Sequence, residues 1–182
     1  MKLKVNELKK QLKQYDQKDL IQLVVELSKI SKDTENYLAS KFLGDEAVEE
    51  LFSNCQRRIL NEFFPDRGHG KLRFAVAKKE INTFKKTTGD KKRTCDLMLY
   101  FVELGVDFTN TYGDIDAPFY NNIGNMYAKV VSICDAEDEF FYAFAERLEK
   151  VVNDSADIGW GFHDNLCNCY YSLHLIDEED ED

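Results

Sequence analysis

The stretch Asp90-Lys91-Lys92-Arg93-Thr94-Cys95-Asp96-Leu97-Met98-Leu99-Tyr100-Phe101-Val102-Glu103-Leu104-Gly105-Val106-Asp107-Phe108-Thr109-Asn110-Thr111 decides the fold class. Its apolar residues from Leu97 to Phe108 fall on most sides of a 3.6-residue helix rather than on one stripe. A helix that is apolar all round must be surrounded by other elements, so this one belongs at the centre of the protein. Gly113 suits a left-handed stop after it. Asp116 can cap the following helix, with Pro118 tolerated in its first turn.

Outward from this segment the same period recurs. On the N-terminal side, Phe74, Ala77, Ile81 and Phe84 form a helix that stops near Gly89. Before it, Val48, Leu51, Phe52, Cys55, Ile59, Leu60 and Phe63 form another that closes at Pro65. Earlier stripes are Val5, Leu8, Leu12 and Tyr15; then, capped by Asp16, Leu20, Leu23, Val24, Leu27 and Ile30; then Tyr37, Leu38 and Phe42, ended by Gly44. On the C-terminal side, one helix presents Phe119, Ile123, Met126, Tyr127, Val130, Ile133 and Cys134. The next presents Phe140, Phe141, Phe144, Leu148, Val151 and Val152. Ser155 or Asp157 is expected to open the last, with Trp160, His163, Leu166, Tyr170 and Leu173 on one side.

No stretch alternates with a period of two, so no sheet is expected. The expected fold is all-α: about nine helices in antiparallel hairpins, forming a curved right-handed helical array of solenoid type or an irregular bundle. Residues 1–175 should form a single domain. Residues 176–182, with six acids in seven positions, should be a disordered acidic tail.

Composition agrees. With 182 residues, 43% hydrophobic and 32% charged, the chain matches a soluble globular protein, and 2 Pro with 9 Gly leave little material for tight turns. No apolar run approaches the roughly 20 residues that span a bilayer, and Met1-Lys2-Leu3-Lys4 leads into no apolar signal core. The five cysteines, Cys55, Cys95, Cys134, Cys167 and Cys169, are odd in number and lack a C-x-x-C pair. That usage points to reduced thiols in a cytoplasm. The net charge of −10 conceals an asymmetry: residues 1–93 carry a net +7 and residues 94–182 a net −17. Either the halves attract each other within the fold, or the basic half seeks a polyanion.

Three segments, Phe63 to Arg73, Phe108 to Asp116 and Gly159 to Asp164, resemble a bacterial family of small all-helical proteins, domain-of-unknown-function family 6155. The pattern Leu8-Lys9-Lys10-Gln11-Leu12 followed by Lys18-Asp19-Leu20-Ile21-Gln22-Leu23 is similar as well. The resemblance covers nearly all of the chain except its acidic end. It implies no activity and no catalytic residue.

If helix direction alternates strictly, the loops at 65–70, 113–116 and 153–157 open at one end of the molecule. That end would gather Arg67, His69, Lys71, Arg73, Tyr112, Asp114, Asp116, Trp160 and His163. Gly68 and Gly70 allow close backbone approach and a helix starts just after them, so Arg67, Lys71 and Arg73 could hold a phosphate or carboxylate. Gly-His-Gly-Lys is nevertheless no P-loop, lacking its spacer and following hydroxyl. Equally, these cations could pair with Asp114 and Asp116 and lock the hairpins together. Asp114 and Asp116 with His69 and His163 could form a metal site, although no histidines stand at i, i+4. His163-Asp164 invites an acid/base reading, but adjacent helical residues diverge by ~100°.

The first expectation is therefore a soluble cytoplasmic binding or scaffold protein, not an enzyme, that uses this end against another protein and needs no cofactor. The first alternative is a binder of nucleic acid or another phosphate-bearing polyanion through residues 1–93. There, Leu3 to Leu12 with Lys18-Asp19-Leu20 resembles the helix-extended-helix SAP modules, with Tyr15-Asp16-Gln17 in place of their glycine. The second alternative is a metal-dependent hydrolase at the loop end. No membrane partner is expected.

Overall fold

Capping carboxylates, glycine stops and the 3.6-residue apolar period divide the chain into ten helices among the residues, 3–177, that the computed structural model describes. They are α1 (Val5–Leu12), α2 (Gln17–Ile30), α3 (Lys32–Phe42), α4 (Asp45–Phe63), α5 (Phe74–Thr88), α6 (Lys91–Tyr112), α7 (Ala117–Ala136), α8 (Asp138–Asp154), α9 (Phe162–Tyr170) and α10 (His174–Asp177). There is no strand among the described residues, and the all-α expectation holds. The boundary signals work as read. Asp16 accepts from the Asp19 amide at 2.8 Å, Asp116 from that of Phe119 at 2.8 Å, and Gly89 ends α5 with a φ of 71°.

The chain divides into two compact units, residues 1–49 and 50–182, the division falling inside α4. In the first unit α2 packs along α3, whose N-terminus is capped by Ser31 through the Thr34 amide at 3.1 Å. No residue of α1, α2 or α3 is fully buried.

The second unit is built around α6. Cys95, Leu97, Leu99, Phe101 and Val102 have 0% exposure, and their burial wraps most of the helix, leaving one part-exposed polar stripe of Asp96, Tyr100, Glu103 and Asp107. Helices α5, α7 and α8 supply the cover. Helix directions follow from side-chain ties. Lys91 reaches Glu137 at 2.8 Å, joining the start of α6 to the end of α7, so these two are antiparallel. Asn110 donates to the Asp154 carbonyl at 2.8 Å, joining the ends of α6 and α8, which are therefore parallel. Lys78 and Asn122, 2.5 Å apart near the starts of α5 and α7, make that pair parallel too. Within this unit the substantial helix contacts join helices one or two apart in the chain, the arrangement of stacked hairpins.

Two devices hold neighbours against α6. At Gly105 the Ile123 side chain of α7 comes so close that an added Cβ would lie 2.5 Å from its Cδ1 and 2.7 Å from its Cγ1. From α8, Arg147 reaches two carboxylates one heptad apart on α6. Its Nε and one terminal nitrogen bind both oxygens of Glu103 at 2.7 and 2.8 Å, and the other terminal nitrogen binds Asp96 at 2.7 Å. Burial opposes the Arg147 charge, but these bonds outweigh it and its pKa is raised.

The last long helix starts later than the sequence suggests. Neither Ser155 nor Asp157 opens it; Gly161 does, with a φ of 66°, after Trp160 at 62°. Two successive left-handed residues form a turn, so Trp160 stands before the helix and does not share its stripe with His163 and Leu166. Helix α10 takes in Ile176 and Asp177, and the rest of the expected acidic tail lies outside the described residues.

The Gly105–Ile123 contact is directly testable. Gly105→Ala gains about 1 kcal/mol of helix propensity but overpacks a fully buried branched side chain, at a cost of about 1–3 kcal/mol. Denaturant titration should show a net loss, and Ile123→Ala in the same chain should make the alanine at 105 the more favourable residue.

Candidate functional site

Glu62 sits on the buried stripe of α4, three residues after Ile59, and its side chain is only 5% exposed. A charge in that position needs partners, and the returning loop provides them. Leu72 N–H donates to the Glu62 carbonyl at 2.9 Å, and Arg73 N–H to Oε2 at 3.1 Å. The Arg73 guanidinium grips both carboxylate oxygens at 3.0 and 2.7 Å. The hydrogen bond from Arg73 holds the Glu62 carboxyl below the usual carboxylate range. The loop presses so closely on α4 that a Cβ at Gly70 would meet the Phe63 carbonyl oxygen at 2.2 Å.

The carboxylate of Glu62 therefore stands just ahead of α5, where the sequence reading placed an external anion, and Arg73 is committed to it. Asp114 and Asp116 have other partners: Asp116 caps α7, and Asp114 accepts from the Tyr120 hydroxyl at 3.1 Å. The expected locking pairs between loop cations and these two aspartates are replaced by Arg73–Glu62. Arg67, His69 and Lys71 are exposed and have no hydrogen-bond or ion-pair partner among the described residues.

Rings bind the three loop segments into one end of the unit. Phe64, at the end of α4, lies 5.7 Å from Phe108 and 6.2 Å from Tyr112, both at the end of α6. Phe108 touches Phe119 at the start of α7, and Phe119 touches Tyr120. Tyr120 meets Trp160 at 6.3 Å and Phe162 at 5.1 Å, ahead of and within the first turn of α9. Gly159 closes the circuit, since a Cβ there would be 4.0 Å from Asp114 Oδ2. The buried part of this chain carries two outward rings, Tyr112 at 60% and Trp160 at 62% exposure. Trp160 is also the only tryptophan.

His163 is half-buried on α9. Ser155 Oγ donates its proton to the Val152 carbonyl at 2.7 Å, so it accepts from His163 Nδ1–H at 2.9 Å, which fixes the tautomer. Cys167 is one turn further along. Its sulfur is 3.4 Å from Nε2 and 3.9 Å from Nδ1. Two such similar distances put the sulfur over the ring face and off the nitrogen lone pair, so the pair is not a nucleophile with its base. His163 ties α9 to the end of α8. All five cysteines are free thiols, and burial pushes that of Cys55 up to about 12.

Elsewhere, a cleft of about 540 Å³ between α6 and α8 is lined by Asp90, Lys92, Arg93, Asp96, Phe144 and Arg147. Its charges already pair: Arg147 with Asp96, Arg93 with Asp90 at 3.0 Å and Lys92 with Glu139 at 3.7 Å. No three His, Cys, Asp or Glu side chains among the described residues are placed to hold a metal ion, so the set His69, His163, Asp114 and Asp116 is not assembled. No described helix is long and apolar enough to cross a membrane.

A family model described as a family of unknown function, DUF6155, matches residues 3–172. The chain belongs to DUF6155. The match takes in both compact units and all three segments of the aromatic end. No curated protein and no solved structure matches this DUF6155 chain.

Three residues central to this end, Glu62, Phe64 and Tyr120, have no role in the sequence-based expectation, and Ser155 appears there only as a helix cap. Glu62 had a signal, being an acid on an apolar stripe just before a loop rich in cations. The others look like ordinary core or cap residues.

The Glu62 pair makes the acid side of stability predictable. Because the folded pKa is lowered, the stabilisation is complete above the usual glutamate range and fades as pH falls through the lowered folded value. Between about pH 5 and pH 3 the wild-type melting temperature should fall more steeply than that of Glu62→Gln. Parallel slopes would refute the pairing.

Proposed function

We propose that this DUF6155 protein is a protein-binding module whose working surface is its aromatic end. The reading rests on one observation. Tyr112 and Trp160 are held outward by rings packed behind them, at the same end as the loop of Arg67, His69 and Lys71, three exposed side chains that make no hydrogen bond or ion pair among the described residues. Anchored tyrosine, tryptophan and arginine are the residues that dominate protein interfaces, because their large surfaces are presented with little freedom left to lose. The left-handed backbone at Trp160, unfavourable for a bulky residue, supports the same reading, since a conformation of this kind persists where it positions a side chain. With Arg67 and Lys71 in that loop making no ion pair, the partner segment is acidic.

The polyanion alternative is supported less well. Much of the positive charge between residues 58 and 93 is held within the fold: Arg58 by Glu80, Arg73 by Glu62, Lys91 by Glu137 and Lys92 by Glu139. Two of those acids come from the acidic half, so part of the asymmetry seen in the sequence is internal attraction.

Trp160 reports on its own surface. Its fluorescence should shift and saturate on titration with an oligoglutamate peptide, and Arg67→Glu should weaken that binding at least about tenfold. Arg67 has no fold partner, so the variant's stability should stay within about 0.5 kcal/mol of wild type. An unchanged spectrum, or an Arg67→Glu chain that unfolds, would sink the proposal. A response to short RNA alone, falling steeply with salt, would favour the polyanion reading.

A further inference from the structure

Independently of the aromatic end, we propose that α1 to α3 form a self-association surface through which two copies of the chain dimerise. Twelve large apolar side chains between Leu3 and Leu43 are exposed, against five in all the remaining described residues. Ile30, Phe42 and Leu43 stand at 76%, 78% and 70% exposure. The spacing is that of helices with helical partners. Val5, Leu8 and Leu12 on α1, and Leu20, Leu23, Leu27 and Ile30 on α2, follow the three-four alternation of an interhelical seam. Helix α2 carries a second apolar edge, Ile21 and Val25, so packing along α3 covers one side and leaves another open.

Area and charge identify the occupant. At about half exposure, and with on the order of 100–150 Å² per large side chain, the twelve together expose on the order of 600–900 Å² of apolar surface, summed over the three helices. A monomer's largest patch is about 300–600 Å², whereas a stable dimer takes about 800 Å² from each partner. The summed apolar area is thus of the order a dimer takes from each partner. Residues 3–43 hold eight lysines and six acids, interspersed along the chain. A near-neutral face does not repel a second copy of itself, and it offers little to a polyanion or to anionic lipid. A twofold pairing of identical faces also matches each seam with its own kind.

The test is sedimentation equilibrium of the full chain at about 50 μM, above the weak limit for interfaces of this size. The expected result is the mass of two chains. Ile30→Glu and Phe42→Glu, both at exposed positions, should each shift the equilibrium at least about tenfold toward monomer with unchanged helical circular dichroism. Leu43→Ser is the milder variant if either charge impairs folding, and should shift it in the same direction. A wild-type monomer at that concentration, a dimer that survives all three substitutions, or a wild-type monomer that cosediments with anionic vesicles would overturn the proposal.

Discussion

The second unit depends on the demand of α6 to be covered on all of its circumference except one polar stripe. Leu97, Leu99, Phe101 and Val102 cannot all face one neighbour, because successive helical residues turn by ~100°. Satisfying them requires helices around the axis, and the short connections on either side of α6 dictate which ones. Connections of a few residues make α5 and α7 antiparallel to α6, and α8 is brought back parallel to it. The charged groups in the middle of α6 are confined to the one stripe left part-exposed, which also carries Asp107. Asp96 and Glu103 are tolerated because they stand one heptad apart, facing one guanidinium from α8. A single arginine thus turns two charges on a buried helix into the tie that sets α8 against it.

Alternation of direction gives the unit two chemically different ends. At one, the starts of α6 and α8 and the end of α7 meet through charge, Lys91 with Glu137 and Lys92 with Glu139, while His174, just after α9, is hydrogen-bonded to Asp135 at 2.8 Å. At the other, Phe64, Phe108, Tyr112, Phe119, Tyr120 and Trp160 meet through rings. The charged end closes on itself, because its cations have acids opposite them. The aromatic end leaves Arg67, His69 and Lys71 over, and leaves two rings pointing outward.

Helix positions were legible because they depend on local patterns: period, caps and stops. Asp16, Gly89 and Asp116 all act within three or four residues of themselves. The gathering of three loops at one end was also legible, since it follows from counting helices and alternating their direction. Partner choice was not, because it depends on distances between residues far apart in the chain. Nothing in the local sequence tells Arg73, which turns back to Glu62, from Arg67 six residues earlier, which does not. The same limit hid the start of α9. Ser155 and Asp157 are good capping residues, but Ser155 is fully buried beneath His163 and the chain needs a left-handed turn at Trp160 and Gly161 before it can resume.

The contrast between Arg73 and its neighbours bears on how the aromatic end can work. An end held together by its own cations would lose its structure on binding an anion, since the ligand would compete with Asp114 and Asp116 for the same side chains. Here the loop is fastened by Glu62, from beneath, through backbone and guanidinium together. Gly70 lies flat on α4 because no Cβ stands in the way. The fastening bonds of Glu62 and Arg73 do not involve Arg67 or His69, so the proposed partner would engage these two without loosening the loop that carries them. Trp160 is arranged in the same way: Tyr120, itself buried and bonded to Asp114, backs its ring, and Gly161 continues the turn. A surface whose support is independent of its contacts is already ordered before a partner arrives, and little conformational entropy remains to be lost on binding.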